Sequence, residues 1–132
     1  MFKQVLIDSG VGDVLANMMA ESTMPPLLLA FIVAAIVRIA QGSATVAMIT
    51  AAGIIAPIIS VLNLHGAVLG LIVIAISAGA SILSHVNDSG FWLVNRYLCL
   101  TEQQTLKSWT VMTTIVALTG LCMTFVISIF IT

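Results

Sequence analysis

Charge is scarce in this chain. Four Lys or Arg and five Asp or Glu amount to 7% of its 132 residues, against roughly a quarter in soluble domains. A soluble domain of this size has no way to cover its surface with so few charges. The basic residues Lys3, Arg38, Arg96 and Lys107 are scattered, and the formal net charge is -1. No basic patch exists, which excludes nucleic acid as a partner. Cysteine is almost as rare: Cys99 and Cys122 stand far apart, at a spacing that fits no CxxC, zinc or haem pattern. Both are read as packing residues, and a disulfide is not expected because Cys122 falls inside an apolar segment. Nucleophile elbow, P-loop, HExxH and metal-ligand clusters are missing too, so the chain is read as a non-enzyme with no cofactor and no metal site. Met1 is not followed by a basic region, an apolar run and a small-residue cleavage site, which argues against a signal peptide.

What the chain has instead is apolar length. Hydrophobic residues make up 61% of it, and the mean hydropathy is +1.22. A spanning helix needs about 20 predominantly apolar residues. Residues 24–60 carry one charge, Arg38; residues 66–86 carry none if His85 is neutral; residues 108–132 carry none. The expected fold class is therefore an all-α membrane protein in contact with the lipid bilayer. Residues 1–23 differ, because Lys3, Asp8, Asp13 and Glu21 interrupt them, and they read as an interfacial or re-entrant segment.

Pro25 and Pro26 place a helix start near residue 26, where a proline's missing N–H is unpaired anyway. The apolar run from there meets Gln41, Gly42, Ser43, Ala44 and Thr45 before resuming, with Pro57 near its end. Two readings compete for residues 26–60: one long tilted helix, or two short helices meeting at a polar tip. The second is favoured, because the stretch exceeds one span by half and Gly42 and Ser43 sit at its middle. Residues 66–86 have the length of a transmembrane helix, and Asn87, Asp88, Ser89 and Gly90 break it. Residues 91–100 form a short interfacial helix with Trp92 and Tyr97 as interface aromatics. Thr101 and Gln104 make a capping box for a final transmembrane helix over 106–131, with Trp109 at headgroup level. Arg96 and Lys107 put the loop at 95–107 on the cytoplasmic side, so the far end of the last helix is expected outside.

Two polar clusters are candidate sites. Ser77, Ser81, Ser84 and Asp88 follow helical spacing, and Gly66 and Gly70 extend the same stripe. The serines alone read more simply as helix packing. Asp88 shifts the balance, because an ionisable group at membrane depth is expensive and faces a cavity or a partner. With His85 three residues earlier, a carboxylate of raised pKa beside an imidazole is a proton-acceptor pair. The plainer alternative is that Asp88 caps the following helix and His85 binds a terminal carbonyl. The second cluster is Gln41, Gly42, Ser43 and Thr45. A break between half-helices offers free N–H groups and a positive dipole end to an anion, while amide and hydroxyl groups suit its alcohols. Close packing through small residues is the alternative there. Arg38 is open to three readings: pairing a substrate carboxylate, pairing Asp88, or reaching toward the interface.

The runs DSGVGDVLA (8–16), RIAQGSATVAMITAAGIIAP (38–57), SHVNDSGFWLVNRYLCLT (84–101) and TLKSWTVMTTI (105–115) resemble the C-terminal part of the gluconate:proton symporter family. That resemblance covers nearly the whole chain in order. It implies a proton-coupled carrier of gluconate or a related sugar acid, multi-pass in the bacterial inner membrane, built as an inverted repeat with hairpins and interrupted helices at the substrate site. Members are much longer, so this chain corresponds to about the last third of one. The expected partners are the sugar acid, a proton, and the remaining transporter half or other copies. Site roles carried over fall on the breaks at 41–45 and 87–90, which gives Gln41, Gly42, Ser43, Thr45, Asn87, Asp88 and Ser89 for substrate, while Asp88 and His85 are read for the proton from their own spacing. The alternative is a truncated or accessory small membrane protein with no transport activity of its own.

Overall fold

A computed structural model describes residues 24–131, together with Gly10, Val14 and Asn17. The segment expected over 1–23 otherwise lies outside the described residues. Every regular element among these residues is helical. Helix α1 (Pro26–Gln41) has Pro25 as its N-cap and Pro26 at its first position, where no N–H bond is forfeited. It stops at Gly42, whose φ of 78° is left-handed and whose N–H donates to the Arg38 carbonyl. Ser43 then caps α2 (Ala44–Val61), its Oγ accepting from Val46 N at 3.4 Å. The apolar run over 26–60 is thus two helices joined at a break of two residues. At 1.5 Å per residue, α1 rises about 24 Å and α2 about 27 Å.

Helix α3 (Ala67–Ser81) ends earlier than its apolar sequence suggests. Ile82 turns extended and Leu83 takes a φ of 45°, so the charge-free stretch over 66–86 yields 15 helical residues and a rise of only about 22 Å. Short helix α4 (Ser89–Tyr97) follows, with Asp88 as its N-cap. The last helix runs unbroken from Glu102 to Ile131. It comprises α5 (Glu102–Thr105), a π-turn (Leu106–Thr110) and α6 (Val111–Ile131). The Thr101–Gln104 capping box is present at its start. By length and composition α2 and the last helix are able to cross a membrane, whereas α1 and α3 are apolar but shorter.

The core combines large side chains such as Phe31, Ile55, Ile58 and Ile72 with many small ones. Ala30, Ala34, Ala47, Ala51, Ala75, Ala80 and Ala117 are fully buried. Helix α1 packs on α2 and α3, and α3 also packs on α6. Gly79 permits the tightest approach: a Cβ there would collide with the Phe31 carbonyl of α1. Close backbone contact through small residues is how helices associate without a water-driven hydrophobic force. Gly66 and Gly70 do not belong to that seam, since nothing lies within 4 Å of a Cβ built at either. Outside it the surface is apolar: Val111, Met112, Ile115, Val116, Met123, Val126, Ile129 and Phe130 of α6 are all exposed. Neither cysteine packs inside, contrary to the expectation for both; Cys99 and Cys122 are free and exposed.

Candidate functional site where two helix breaks meet

Arg38 sits one turn before the end of α1 and is 3% exposed. Its guanidinium joins the two breaks. Nη1 donates to the Gly42 carbonyl, and Nη2 donates to Asp88 Oδ2 at 2.5 Å. Of the three roles open to Arg38, the fold realises the pairing with Asp88. Its Nε is buried without a hydrogen-bond partner, and such a donor is costly unless something else completes it.

Asp88 is held from three sides. Oδ2 also accepts from the Ser84 hydroxyl, and Oδ1 accepts from Gly90 N at 3.0 Å, the capping bond of α4. The capping role is therefore real, and it coexists with the ion pair. The proposed side-chain pair with His85 does not form. His85 Nδ1 accepts from Asn87 N at 3.2 Å and Nε2 lies 3.1 Å from the Ile39 carbonyl. An acceptor at Nδ1 places the proton on Nε2, which then donates to one of the terminal carbonyls of α1. His85 is thus a second tie between the breaks, and the partner of the carboxylate is an arginine instead of an imidazole.

The serine stripe dissolves for the same reason that α3 ends early. Ser77 and Ser81 donate to the carbonyls four residues back in their own helix, whereas Ser84 and Asp88 lie beyond the helix end, in the second break. Ser84 is fastened to the last helix instead. Its Oγ accepts from Trp109 Nε1 at 2.9 Å, its carbonyl accepts from Thr110 Oγ1 at 2.5 Å, and its N–H donates to Thr113 Oγ1 at 3.3 Å. Trp109, Thr110 and Thr113 went unrecognised as contributors. Trp109 reads from sequence as a headgroup anchor, and the one hint was its setting among hydroxyl residues at helical spacing.

The two breaks touch directly. A Cβ at Gly42 would overlap the Asn87 backbone, so glycine is required there twice, by its φ and by its neighbour. The N-termini of α2 and α4 consequently begin beside each other. Gln41, Thr45, Asn87 and Ser89 are exposed around this contact, and Ser43 is half-buried. Gln41, Gly42, Ser43, Thr45, His85, Asn87, Asp88 and Ser89 thus lie in or beside the two breaks that meet here, whereas Ser77 and Ser81 stay within α3. Among the described residues no cluster suited to a metal ion occurs.

A family model described as GntP family permease matches residues 1–130. The gluconate permease of Pseudomonas aeruginosa is 48% identical over 128 residues, covering 97% of this chain and 28% of that protein. The Gnt-II system L-idonate transporter of Escherichia coli K12 is 52% identical over 120 residues, or 91% of this chain and 27% of its own length. The gluconate permease of Bacillus licheniformis is 44% identical over 130 residues, covering 98% of this chain and 28% of that protein. The chain thus spans little more than a quarter of the curated relatives it matches. No solved structure matches it. With the family model covering the chain almost end to end, the chain belongs to the GntP permease family.

Proposed function

We propose that this chain is part of a proton-coupled secondary transporter for gluconate or a related sugar acid in the bacterial inner membrane. Gln41, Gly42, Ser43, Thr45, Asn87, Asp88 and Ser89 contribute to the substrate site, and Asp88 with His85 handles the proton. The observation that carries the reading is the meeting of two helix N-termini, α2 and α4, at a buried arginine that keeps one donor unpaired. Positive dipole ends and a guanidinium suit a carboxylate, and the surrounding hydroxyl and amide groups suit a polyol chain. Two of the similar proteins are named for gluconate and L-idonate transport, and both of those substrates pair a carboxylate with several hydroxyls.

Coupling follows from competition for one cation. Asp88 holds Arg38 by an ion pair. A proton on Asp88 cancels the charge that binds Arg38, and the guanidinium is then released toward the substrate carboxylate. Proton and sugar acid load together under this scheme, and His85 adjusts the local geometry through Ile39 and Asn87. The α1–α2 pair acts as a broken or re-entrant element whose tip reaches into the membrane, and the rest of an inverted-repeat carrier, or other copies, completes the site.

The test is Asp88→Asn in a full-length carrier containing this segment, reconstituted in liposomes. Proton-driven accumulation of gluconate is expected to disappear while substrate exchange continues, because Asn does not titrate but leaves Arg38 available. Normal accumulation in that variant would remove Asp88 from the proton path.

A further inference from the structure

The mechanism uses Asp88 and Arg38 but leaves unexplained why the last helix fastens Ser84 so firmly. Ser84 is 1% exposed and makes three hydrogen bonds to Trp109, Thr110 and Thr113. These residues lie in or just after the π-turn over Leu106–Thr110, and such turns recur at functional positions because they redirect side chains within a helix. The polarity of the chain of bonds is dictated by chemistry. An indole N–H donates and never accepts, so Ser84 Oγ must accept from Trp109. The hydroxyl of Ser84 in turn donates to Asp88 Oδ2, and a hydroxyl that accepts an N–H is polarised into a stronger donor. Oδ2 therefore faces two donors, Ser84 and Arg38, and Oδ1 faces the Gly90 N–H. A proton placed on Oδ2 would meet donors only.

We propose that Trp109 is a positioning residue for Asp88: by donating to Ser84 Oγ it anchors and polarises the hydroxyl that donates to the carboxylate, and so favours the charged Asp88 that pairs with Arg38. This rests on the reading of Asp88 as the proton carrier, and it makes the last helix part of the device that keeps the unprotonated state. Leu83 agrees with an imposed geometry. A γ-branched residue at φ 45° is strained, and the ties on the next residue are what hold it there. Among the described residues, Arg38 from α1 is the charged group touching Asp88, and His85 of the same break is the other titratable side chain beside it. The last helix reaches Ser84, which bonds Asp88, with Trp109, Thr110 and Thr113, none of which titrates, while Lys107 and Glu102 are exposed.

Trp109→Phe keeps an aromatic ring and removes the N–H that polarises the Ser84 hydroxyl, so Ser84 donates more weakly to the carboxylate and a neutral Asp88 is disfavoured less. Ser84→Ala removes the hydroxyl in a smaller substitution. In the full-length carrier reconstituted in liposomes, each variant is expected to move the pH profile of gluconate accumulation upward by about one unit, a tenfold change in proton affinity, with substrate exchange retained. A packing defect alone lowers activity at all pH values without moving the profile, and an unmoved profile in either variant overturns the inference. Asp88→Asn, measured alongside, separates the two failures. If it still accumulates gluconate, the proton reading falls and this inference falls with it; if it does not, while Trp109→Phe keeps the parent profile, only the role of Trp109 is lost.

Discussion

The two breaks that meet at the site are made in opposite ways. The first, at Gly42 and Ser43, is local: a left-handed glycine ends α1 and a serine hydroxyl starts α2. The second, over residues 82–88, has no glycine where the chain turns. Leu83 occupies φ 45° instead, and what holds it is Ser84, bound to the last helix, and Asp88, bound to α1. One break is written in residue types suited to their own conformations, whereas the other is imposed by contacts from two distant helices. A break of the second kind is the better place for a switch, because loosening a remote contact is enough to release it.

The strongest way to disrupt that arrangement is to remove the cation the breaks share. Arg38→Met keeps much of the side-chain length but leaves Asp88 facing Ser84 and Gly90 alone. Breaking a fully buried pair from one side costs about 3–5 kcal/mol, and because Asp88 is half-buried the lower end of that range is expected. The variant is expected to lower the thermal midpoint of the full-length carrier in detergent by several degrees and to abolish uptake. A midpoint equal to the parent's would mean that the ion pair does not join the breaks.

Gly42→Ala tests the local break and should cost less, about 2–3 kcal/mol, from the unfavourable φ together with displacement of the Asn87 backbone. It is also expected to weaken gluconate binding, since the N-termini of α2 and α4 must move apart. Unchanged stability and unchanged affinity together would show that the contact with Asn87 is loose.

The smallest effect is expected at Leu83→Gly, where the backbone has the same sign of φ and the opposite residue type. Relief of strain offsets the added freedom of the unfolded chain, leaving stability within about 1 kcal/mol of the parent. A loss as large as that of Gly42→Ala would mean that the partly exposed Leu83 side chain packs against the rest of the carrier.

The sequence by itself determined that the chain is helical and apolar, since 7% charge leaves no soluble alternative. It also determined the features whose signals are local: the start at Pro26, the stop at Gly42, the cap at Ser43 and the Thr101–Gln104 box. Each depends on a residue type acting on its own backbone or on a neighbour within one turn, so one-dimensional order is sufficient. The premature end of α3 was not legible, because residues 66–86 carry neither charge nor proline and the bonds that fasten Ser84 past the helix end come from Trp109, Thr110 and Thr113. Nor could spacing choose a partner for Asp88. His85 is near in sequence, yet the side chain that bonds the carboxylate is Arg38, fifty residues away. Only the tertiary structure settled that choice, because a half-buried carboxylate and a buried guanidinium are each stabilised by whichever opposite charge the helix packing brings within reach.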